Sequence, residues 1–213
     1  MSFDTLAPHY RWMEAVLAGP RLQRARTAWL DQLRDSPRIL VAGVGHGPFL
    51  PALVRRVPHA QITAVDSSMR MLRQSLRRVG SLQANITFVH ARLPEWTPTK
   101  NYDAIVTHFF LDCFPPEQLA RVIDVLDSAA MREARWLVSD FALPPRGWRR
   151  TRARAIHWLM YRFFRVATRL PAHRWTDPSP LLQARGYQLL GRDESEWGLL
   201  RSDCWTRSAT DVR

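Results

Sequence analysis

The sequence predicts a doubly wound α/β fold of seven strands, with a mostly parallel sheet closed by a C-terminal hairpin. Two observations carry this prediction. Short apolar runs alternate with helical segments over the first two thirds of the chain, and two further runs stand close together near its end. A helix between two strands returns the chain to the same edge of the sheet, so such strands are parallel. The hairpin makes the last strand antiparallel, and a length of 213 residues fits a single domain.

Five apolar runs of strand length predict the parallel part of the sheet. They are Arg38–Ala42, Gln61–Val65, Ile86–His90, Tyr102–Thr107 and Arg135–Phe141. Short runs of this kind are typical of strands that helices cover on both faces. We therefore expect these five strands at the centre of the fold.

Helices are expected in the intervals between these runs. Pro48–Val57 follows a glycine-rich turn and begins with a proline, which suits a first helical turn. Ser67 or Ser68 provides the N-cap of a second helix that ends near Val79. A third helix is predicted over Pro116–Ala129, with proline and glutamate in its first turn.

The two ends of the chain add further elements. Apolar residues at three- and four-residue spacing predict a helix over Pro8–Leu33. Trp148–Leu170 is predicted to be a helical insertion, and a short helix follows it. Tyr187–Leu190 and Leu199–Thr206 predict the closing hairpin, joined by the polar turn Gly191–Glu196.

The composition is that of a folded protein with a strong positive charge. Hydrophobic residues make up 46% of the chain, which argues against disorder as the dominant state. Lys and Arg number 31 against 19 Asp and Glu, so the formal net charge is +12, and Lys100 is the only lysine. The arginine excess suits nucleic acid, an anionic membrane or an acidic substrate, and equally a general bias toward arginine.

Nothing in the sequence predicts a disulfide framework, a metal site or a membrane span. Cys113 and Cys204 stand far apart, without a CxxC pattern or a histidine at ligand spacing. No run approaches the roughly 20 apolar residues that a transmembrane helix requires. We expect a cytoplasmic protein that binds no metal.

The glycine-rich turn in RILVAGVGHGPFL predicts a nucleotide site. Gly43, Gly45 and Gly47 lie between the first strand and a helix, where bare backbone lets a ligand come close. Asp66 ends the next strand. Its separation from the glycines is about that at which a carboxylate accepts hydrogen bonds from ribose hydroxyls. Capping of the following helix is the alternative role of Asp66. Pro48 stands where the NAD fingerprint GxGxxG has its third glycine, and no GxxxxGK[ST] loop is present.

The ordered set of motifs resembles the class I S-adenosylmethionine-dependent methyltransferases. The matching segments are GVGHG, AVDSSMRML, FVHARLPEW, YDAIVTHFFLDCF and WLVSDFALP, in order from the first strand to the fifth. The resemblance covers about residues 3–206. It implies a Rossmann-like fold, S-adenosyl-L-methionine as the cofactor and methyl transfer as the activity.

The resemblance also implies a set of cofactor-binding residues, which follow the ends of the first four predicted strands. They are Gly43, Gly45, Gly47, Asp66, Ser67, Met69, Ala91, Arg92 and His108. In this arrangement the glycines cradle the methionyl group and the ribose, Asp66 binds the ribose hydroxyls, and Ala91 and Arg92 lie beside the adenine. The chain departs from the family at two positions, since Val41 and His90 stand where many members carry an acid.

The acceptor site is expected at the end of the fourth strand, in Thr107–Asp112. His108 is the candidate general base because histidine titrates near neutral pH, and Asp112 is its candidate partner. A structural hydrogen bond that orients the loop is the alternative role of His108. Asp140 ends the fifth strand and points toward the same mouth, unless it serves as a cap or pairs with an arginine.

The N-terminal segment FDTLAPHYRWMEAVLAG resembles the start of the quinone and sterol-type C-methyltransferases. That resemblance implies that Tyr10 lines the cofactor or acceptor pocket, with simple packing as the alternative. By role, residues 1–36 then form an N-terminal helical lid and residues 37–141 the cofactor-binding core. Residues 146–172 form a helical insertion over the acceptor pocket, and residues 178–207 form the closing helix and hairpin.

The insertion is rich in aromatic residues and arginine. In the family this region commonly roofs the acceptor pocket, so its aromatic residues imply a small hydrophobic or aromatic acceptor. Its arginines fall roughly on one helical stripe: Arg150, Arg154, Arg162, Arg165 and Arg169. The stripe is either a solvated face or a contact of residues 148–170 with an anionic membrane.

Two other functions stay open on the sequence alone. An RNA or DNA methyltransferase follows from the charge, but the arginines are spread over nearly every helix and no Asn/Asp-Pro-Pro-aromatic motif follows the fourth strand. We therefore do not expect nucleic acid as a partner. A non-catalytic scaffold with the same fold follows from the departures at Val41 and His90.

Overall fold

The computed structural model describes residues 19–168 and 175–207, and seven strands within these ranges form a single sheet. The strands are β1 (Arg38–Ala42), β2 (Gln61–Asp66), β3 (Ile86–His90), β4 (Tyr102–His108), β5 (Ala130–Phe141), β6 (Tyr187–Ser195) and β7 (Leu200–Arg207). Across the sheet they follow the order β3-β2-β1-β4-β5-β7-β6.

The pairing of the strands confirms the predicted fold class. β1 pairs in parallel with β2 and β4, and β3 and β5 extend this parallel sheet on either side. β7 pairs antiparallel with both β5 and β6, so β7 alone runs against the other strands. The strand order reverses between β1 and β4, and ligands of doubly wound sheets bind at the carboxyl ends of the strands beside such a reversal.

The helices pack around this sheet close to the positions that the sequence predicts. They are α1 (Gly19–Thr27), α2 (Leu50–Arg56), α3 (Met69–Val79), α4 (Pro116–Ser128), α5 (Gly147–Thr168) and α6 (Ser179–Gln183). Ser68 caps α3, because its Oγ accepts a hydrogen bond from the Met71 N–H at 3.2 Å. α4 begins at Pro116, which has no N–H to leave unpaired in a first turn.

Two clusters of buried side chains form the core, one on each face of the sheet. Ile39 and Val41 of β1 belong to one cluster, and Leu40 and Ala42 to the other. This division follows from strand geometry, in which successive side chains point to opposite faces. Burial on both faces explains why the sequence of β1 is continuously apolar after Arg38.

The predicted hairpin turn at Gly191–Glu196 is wrong, because β6 continues to Ser195. Gly191 lies within the strand, beside a register shift, and a Cβ there would overlap the ring of Trp29. The glycine therefore makes room for an indole and does not form a turn. The chain reverses instead at Glu196–Gly198, where all three residues have positive φ.

The predicted helix over Pro8–Leu33 is interrupted in its described part. α1 ends at Thr27, and a separate 3₁₀ turn forms at Leu30–Leu33. The carbonyl oxygen of Ala25 accepts hydrogen bonds from the hydroxyls of Ser139 and Ser202, at 3.0 and 2.8 Å. These bonds anchor α1 to β5 and β7, and the helix ends just beyond them. Residues before 19 lie outside the described part.

The predicted helical insertion is present as α5, which has one face toward the domain. Ala153 and His157 are buried on that face, whereas Trp148 and Trp158 are exposed. Among the described helices, none combines the length and apolar character required to cross a bilayer.

Candidate functional site

The loop after β1 is held in a conformation that glycine adopts readily. Gly43, Gly45 and Gly47 have φ of 70°, 59° and 72°, in the left-handed region that side chains disfavour. The N–H groups of Gly43 and Val44 both donate to the carbonyl of Val65, at 2.9 and 3.1 Å. The loop is thereby fixed against the end of β2.

The three glycines have different surroundings. A Cβ on Gly43 would overlap the ring of Phe110, and a Cβ on Gly47 would lie 2.5 Å from the Oγ of Ser75. A Cβ on Gly45 would meet no atom within 4 Å. Gly45 is therefore the glycine of this loop that faces open space, while the other two make room for side chains of the protein.

Asp66 connects the glycine loop to α3. Its Oδ2 accepts a hydrogen bond from the Gly45 N–H at 2.8 Å, and its Oδ1 accepts from the Ser68 N–H at 2.9 Å. Burial raises the pKa of the Asp66 carboxyl, while the N–H groups of Ser68 and Gly45 act in the opposite direction. A carboxylate has about four acceptor positions, so Asp66 retains capacity for hydroxyl groups of a ligand.

The predicted adenosine-binding residues lie around the ends of β2 and β3. The N–H of Ala91 donates to the carbonyl of Asp66 at 3.1 Å, and Nε2 of His90 lies 3.1 Å from the carbonyl oxygen of Ser67. Met69 is 39% exposed in the first turn of α3. Arg92 is exposed directly after Ala91. The structure therefore places Ser67, Met69, Ala91 and Arg92 at the same edge of the sheet as Asp66.

The segment that follows β4 contains a residue in an unusual backbone conformation. Phe109 has φ of 52° although it is not glycine, and its N–H donates to the carbonyl of Ser139 at 2.7 Å. Its ring lies 5.3 Å from the ring of Phe141, and the guanidinium carbon of Arg26 lies 5.0 Å from its centroid. Strained conformations of this type cluster at ligand-binding sites.

His108 is enclosed by apolar and cationic neighbours. Its ring stacks edge-on against Phe49 at 4.6 Å between centroids. Burial and the nearby charge of Arg26 lower the pKa of His108 from 6.5 to about 3, so the ring is neutral at pH 7. Within the described part of the chain, its Nδ1 has no hydrogen-bond partner.

The structure brings Asp112 together with Asp140. The Asp112 N–H donates to Oδ2 of Asp140 at 3.1 Å, and the Phe141 N–H donates to its Oδ1 at 2.9 Å. Burial raises the pKa of Asp112 to about 6. Burial and the charge of Asp112 also raise the pKa of Asp140 well above its usual range. Together the two carboxyl groups can hold or release a proton near neutral pH.

Aromatic side chains border this pair of acids. Phe110 packs edge-on against Phe114 at 5.0 Å, and Phe141 packs edge-on against His157 of α5 at 6.1 Å. Since Phe110 also covers Gly43, the aromatic cluster reaches from the glycine loop to the underside of α5. An apolar surface with a few polar groups is typical of a small-molecule site.

Two further side chains at this edge, Ser75 and Arg26, are not among the site residues that the sequence predicts. The predicted pocket residue Tyr10 lies outside the described residues. Ser75 donates from its Oγ to the carbonyl of Gly45 at 2.8 Å and so supports the loop from α3. Arg26 is buried beside His108, at 5% exposure. The sequence contains a signal for the burial of Arg26. This residue lies four positions after Leu22 and three before Trp29, on an otherwise apolar face. No cluster of three metal-ligating side chains occurs among residues 19–168 and 175–207.

Comparison with known proteins gives consistent results. A family model for a methyltransferase domain matches residues 39–130. The chain is 33% identical over 111 residues to a malonyl-[acyl-carrier protein] O-methyltransferase of Paenibacillus sp. (strain JDR-2), a match of 50% of this chain and 39% of that protein. It is 30% identical over 97 residues to a trans-aconitate 2-methyltransferase of Rhodopseudomonas palustris (strain BisB18), covering 45% and 36% of the two chains. The chain thus spans less than half the length of these curated relatives.

A solved structure resembles the whole fold. The magnesium protoporphyrin IX methyltransferase of Synechocystis PCC 6803, solved with bound S-adenosylmethionine, superposes with a TM-score of 0.64. The match covers 97% of this chain and 94% of that protein, at 19% sequence identity. At this identity the likeness shows a shared fold.

Proposed function

We propose that this chain is a class I S-adenosylmethionine-dependent methyltransferase, which transfers the methyl group of S-adenosyl-L-methionine to a small hydrophobic or aromatic acceptor. The carrying observation is the contact between the Gly45 N–H and the Asp66 carboxylate. Open backbone and a hydrogen-bond acceptor thus lie side by side at the carboxyl ends of β1 and β2, next to the point where the strand order reverses. The family model and the curated relatives support the reaction class.

The residues at the sheet edge fit the cofactor. A ribose presents two neighbouring hydroxyls, and the Asp66 carboxylate retains acceptor capacity for them. The open side of Gly45 leaves room for a ligand against the loop backbone, while Ser75 and Val65 hold that loop in place. When bound, the cofactor supplies a methyl group that its sulfonium already activates.

The aromatic residues around the acids provide the acceptor surface in this proposal. Phe109, Phe110 and Phe141 lie beside the carboxyl ends of β4 and β5, and His157 closes this side from α5. An apolar surface excludes water and holds a flat or hydrophobic molecule near the methyl group. Alignment of the acceptor with the methyl group then contributes to the rate of transfer. The aromatic rings thus favour an acceptor of the same character.

His108 and Asp112 take different roles in this proposal. His108 is neutral at pH 7, but its pKa of about 3 makes it a weak base, so it orients the acceptor by accepting a hydrogen bond. Asp112, with a pKa of about 6, is better matched to removing a proton from the acceptor near neutral pH. Asp140 positions Asp112 through the 3.1 Å hydrogen bond to its N–H.

The proposal is tested by methyl transfer from labelled cofactor into a panel of quinones, phenols, carboxylic acids, thiols, amines and RNA. We expect label in one or more hydrophobic or aromatic compounds. Asp112→Asn should reduce the rate by about 100-fold or more, in the range of general-base catalysis. The matched variant Glu133→Gln changes an exposed carboxylate of β5 and should retain the rate. Label in RNA alone would contradict the proposed acceptor class, and binding of the cofactor without transfer to any compound would favour a scaffold.

A further inference from the structure

The outward side of α5 exposes tryptophan and arginine together. Trp148 is 61% exposed and Trp158 is 65% exposed. The helix contains six arginines and no acidic residue. Single exposed apolar side chains are common on protein surfaces, but a continuous patch of large exposed aromatic side chains is uncommon.

The exposed residues of α5 share one face. Trp148 and Trp158 are ten positions apart, which separates them by about 80° around the helix axis and about 15 Å along it. Arg162 lies one turn after Trp158, with its guanidinium carbon 5.6 Å from the Trp158 ring centroid. Arg154 is exposed between the two tryptophans. The buried face, with Ala153, points toward the domain.

A third tryptophan, Trp197, extends this face beyond the helix. It is 53% exposed, and its ring lies 6.1 Å from that of Trp148. The guanidinium carbon of Arg152 lies 4.7 Å from the Trp197 centroid, and its Nη1 donates to the carbonyl of Glu196 at 3.4 Å. We call Trp148, Arg154, Trp158, Arg162 and Trp197 the Trp–Arg face.

The turn that carries Trp197 is strained. Glu196 and Trp197 have φ of 54° and 58°, and neither is glycine. A non-glycine residue in this region carries a conformational cost, which native proteins retain mainly where function requires it. Here the strained turn places an indole in solvent beside a second indole.

The charge around the Trp–Arg face is positive. Glu196, which precedes Trp197, is bound by Arg21, with 2.6 Å between Nη1 and Oε2. Glu194 approaches the same turn, where its Oε2 would lie 3.9 Å from a Cβ on Gly198. Against these two acids stand Arg21 and five described arginines of α5: Arg149, Arg150, Arg152, Arg154 and Arg162. The face is therefore complementary to an anionic partner.

We propose that the Trp–Arg face binds an anionic lipid surface. Tryptophan rings are favourable at the level of lipid headgroups, and arginine binds their phosphates. A basic helix with aromatic residues on its exposed side lies in the plane of such a surface. The inference does not rest on methyl transfer, since it uses residues on the side of α5 opposite the candidate site.

The test is co-sedimentation of the full chain with vesicles of phosphatidylcholine alone or with about one third phosphatidylglycerol, at low and high salt. We expect binding to the anionic vesicles only, weakened by salt. Arg154→Gln/Arg162→Gln removes two surface charges and should weaken binding by about 10- to 30-fold. Trp148→Ala/Trp158→Ala should weaken it by about fivefold or more, without changing the salt dependence.

The matched control is Arg73→Gln/Arg77→Gln, which removes the same charge from exposed positions of α3. It should bind nearly as the unmodified chain does. Equal loss in the control would show that net charge alone attracts the protein, and would overturn the proposal. Absence of binding to anionic vesicles would overturn it as well. Stronger binding to single-stranded RNA than to anionic vesicles, lost in the tryptophan variant, would assign the face to nucleic acid instead.

Discussion

The carboxylate of Asp66 accepts a hydrogen bond from the backbone N–H of Gly45, with 2.8 Å between Oδ2 and N. This bond joins the end of β2 to the loop after β1. Gly45 is also the loop glycine on which a side chain would meet no other atom within 4 Å. The hydrogen bond therefore fixes the position of the acid relative to the open backbone of Gly45.

Alanine at Gly43 and at Gly45 should have different consequences. Gly43→Ala places a methyl group into the Phe110 ring at a positive φ, so we expect a loss of about 2–4 kcal/mol of unfolding free energy. Gly45→Ala meets no side chain and should cost only about 1–2 kcal/mol, from its left-handed backbone. Urea denaturation measures both. Equal losses would contradict the different surroundings of the two glycines.

Ser75→Ala should loosen the glycine loop. Its Oγ is buried and donates to the carbonyl of Gly45, which would lose this partner. We expect a loss of about 1–2 kcal/mol in stability and a weaker affinity for S-adenosylhomocysteine. Ser128→Ala is the matched control. The exposed Ser128 hydroxyl also donates to a backbone carbonyl, but to that of Val125 in its own helix. A similar loss in both variants would argue against a special role of Ser75.

His108 should make stability depend on pH in acid. Its pKa is about 3 in the fold and 6.5 in the unfolded chain, so between these values the unfolded chain binds more protons. The stabilisation is complete above pH 6.5 and is lost as the pH falls toward 3. Relative to His108→Gln, the native chain should lose up to about 1.4 kcal/mol per pH unit in this window. Parallel stability curves for the two proteins would contradict the buried, neutral ring.

Asp140→Asn should make the stability of the protein less sensitive to alkaline pH. The pKa values of Asp112 and Asp140 are raised by burial, so the fold holds protons that the unfolded chain releases above pH 3.8. Stability from this pair is complete below that pH and is lost as the pH rises, through about 6 for Asp112 and further for Asp140. The amide keeps only one accepting oxygen for the N–H groups of Asp112 and Phe141, which costs stability at every pH. It also removes one of the two charges, so the stability of the variant relative to the native chain should be about 1 kcal/mol or more higher at pH 8 than at pH 4. The measurement is the difference in stability between the variant and the native chain at each pH. A smaller difference in favour of the variant at pH 8 than at pH 4 would contradict the raised pKa values of the two carboxyl groups.

The sheet is predictable from the sequence because its signals are local. The bounds of β1 and β3 agree with the apolar runs, since each run is short and flanked by turn residues or polar residues. Ser68 and Pro116 mark the beginnings of α3 and α4 through their own side chains. These features depend on residues that are close together in the sequence, so the sequence itself indicates them.

The features that the sequence did not reveal depend on contacts between distant segments. Gly191 looks like a turn residue, but Trp29 from the N-terminal region packs on it and keeps the strand extended. Gly43 similarly carries no sign of Phe110, whose ring occupies the space where a Cβ would lie. The pairing of Asp112 with Asp140 likewise requires the register of β4 on β5. A single sequence carries no local signal for such partners.

Calorimetric titration of S-adenosylhomocysteine into the native chain, Asp66→Ala and the exposed control Glu117→Ala tests the central claim most directly. We predict saturable binding to the native chain and to the control. Asp66→Ala should bind at least about tenfold more weakly, because hydrogen bonds to a charged group contribute about 1.5–3 kcal/mol each. Circular dichroism verifies that each protein is folded. No binding by the folded native chain, or equal affinity in Asp66→Ala, would contradict a cofactor site at Gly45 and Asp66.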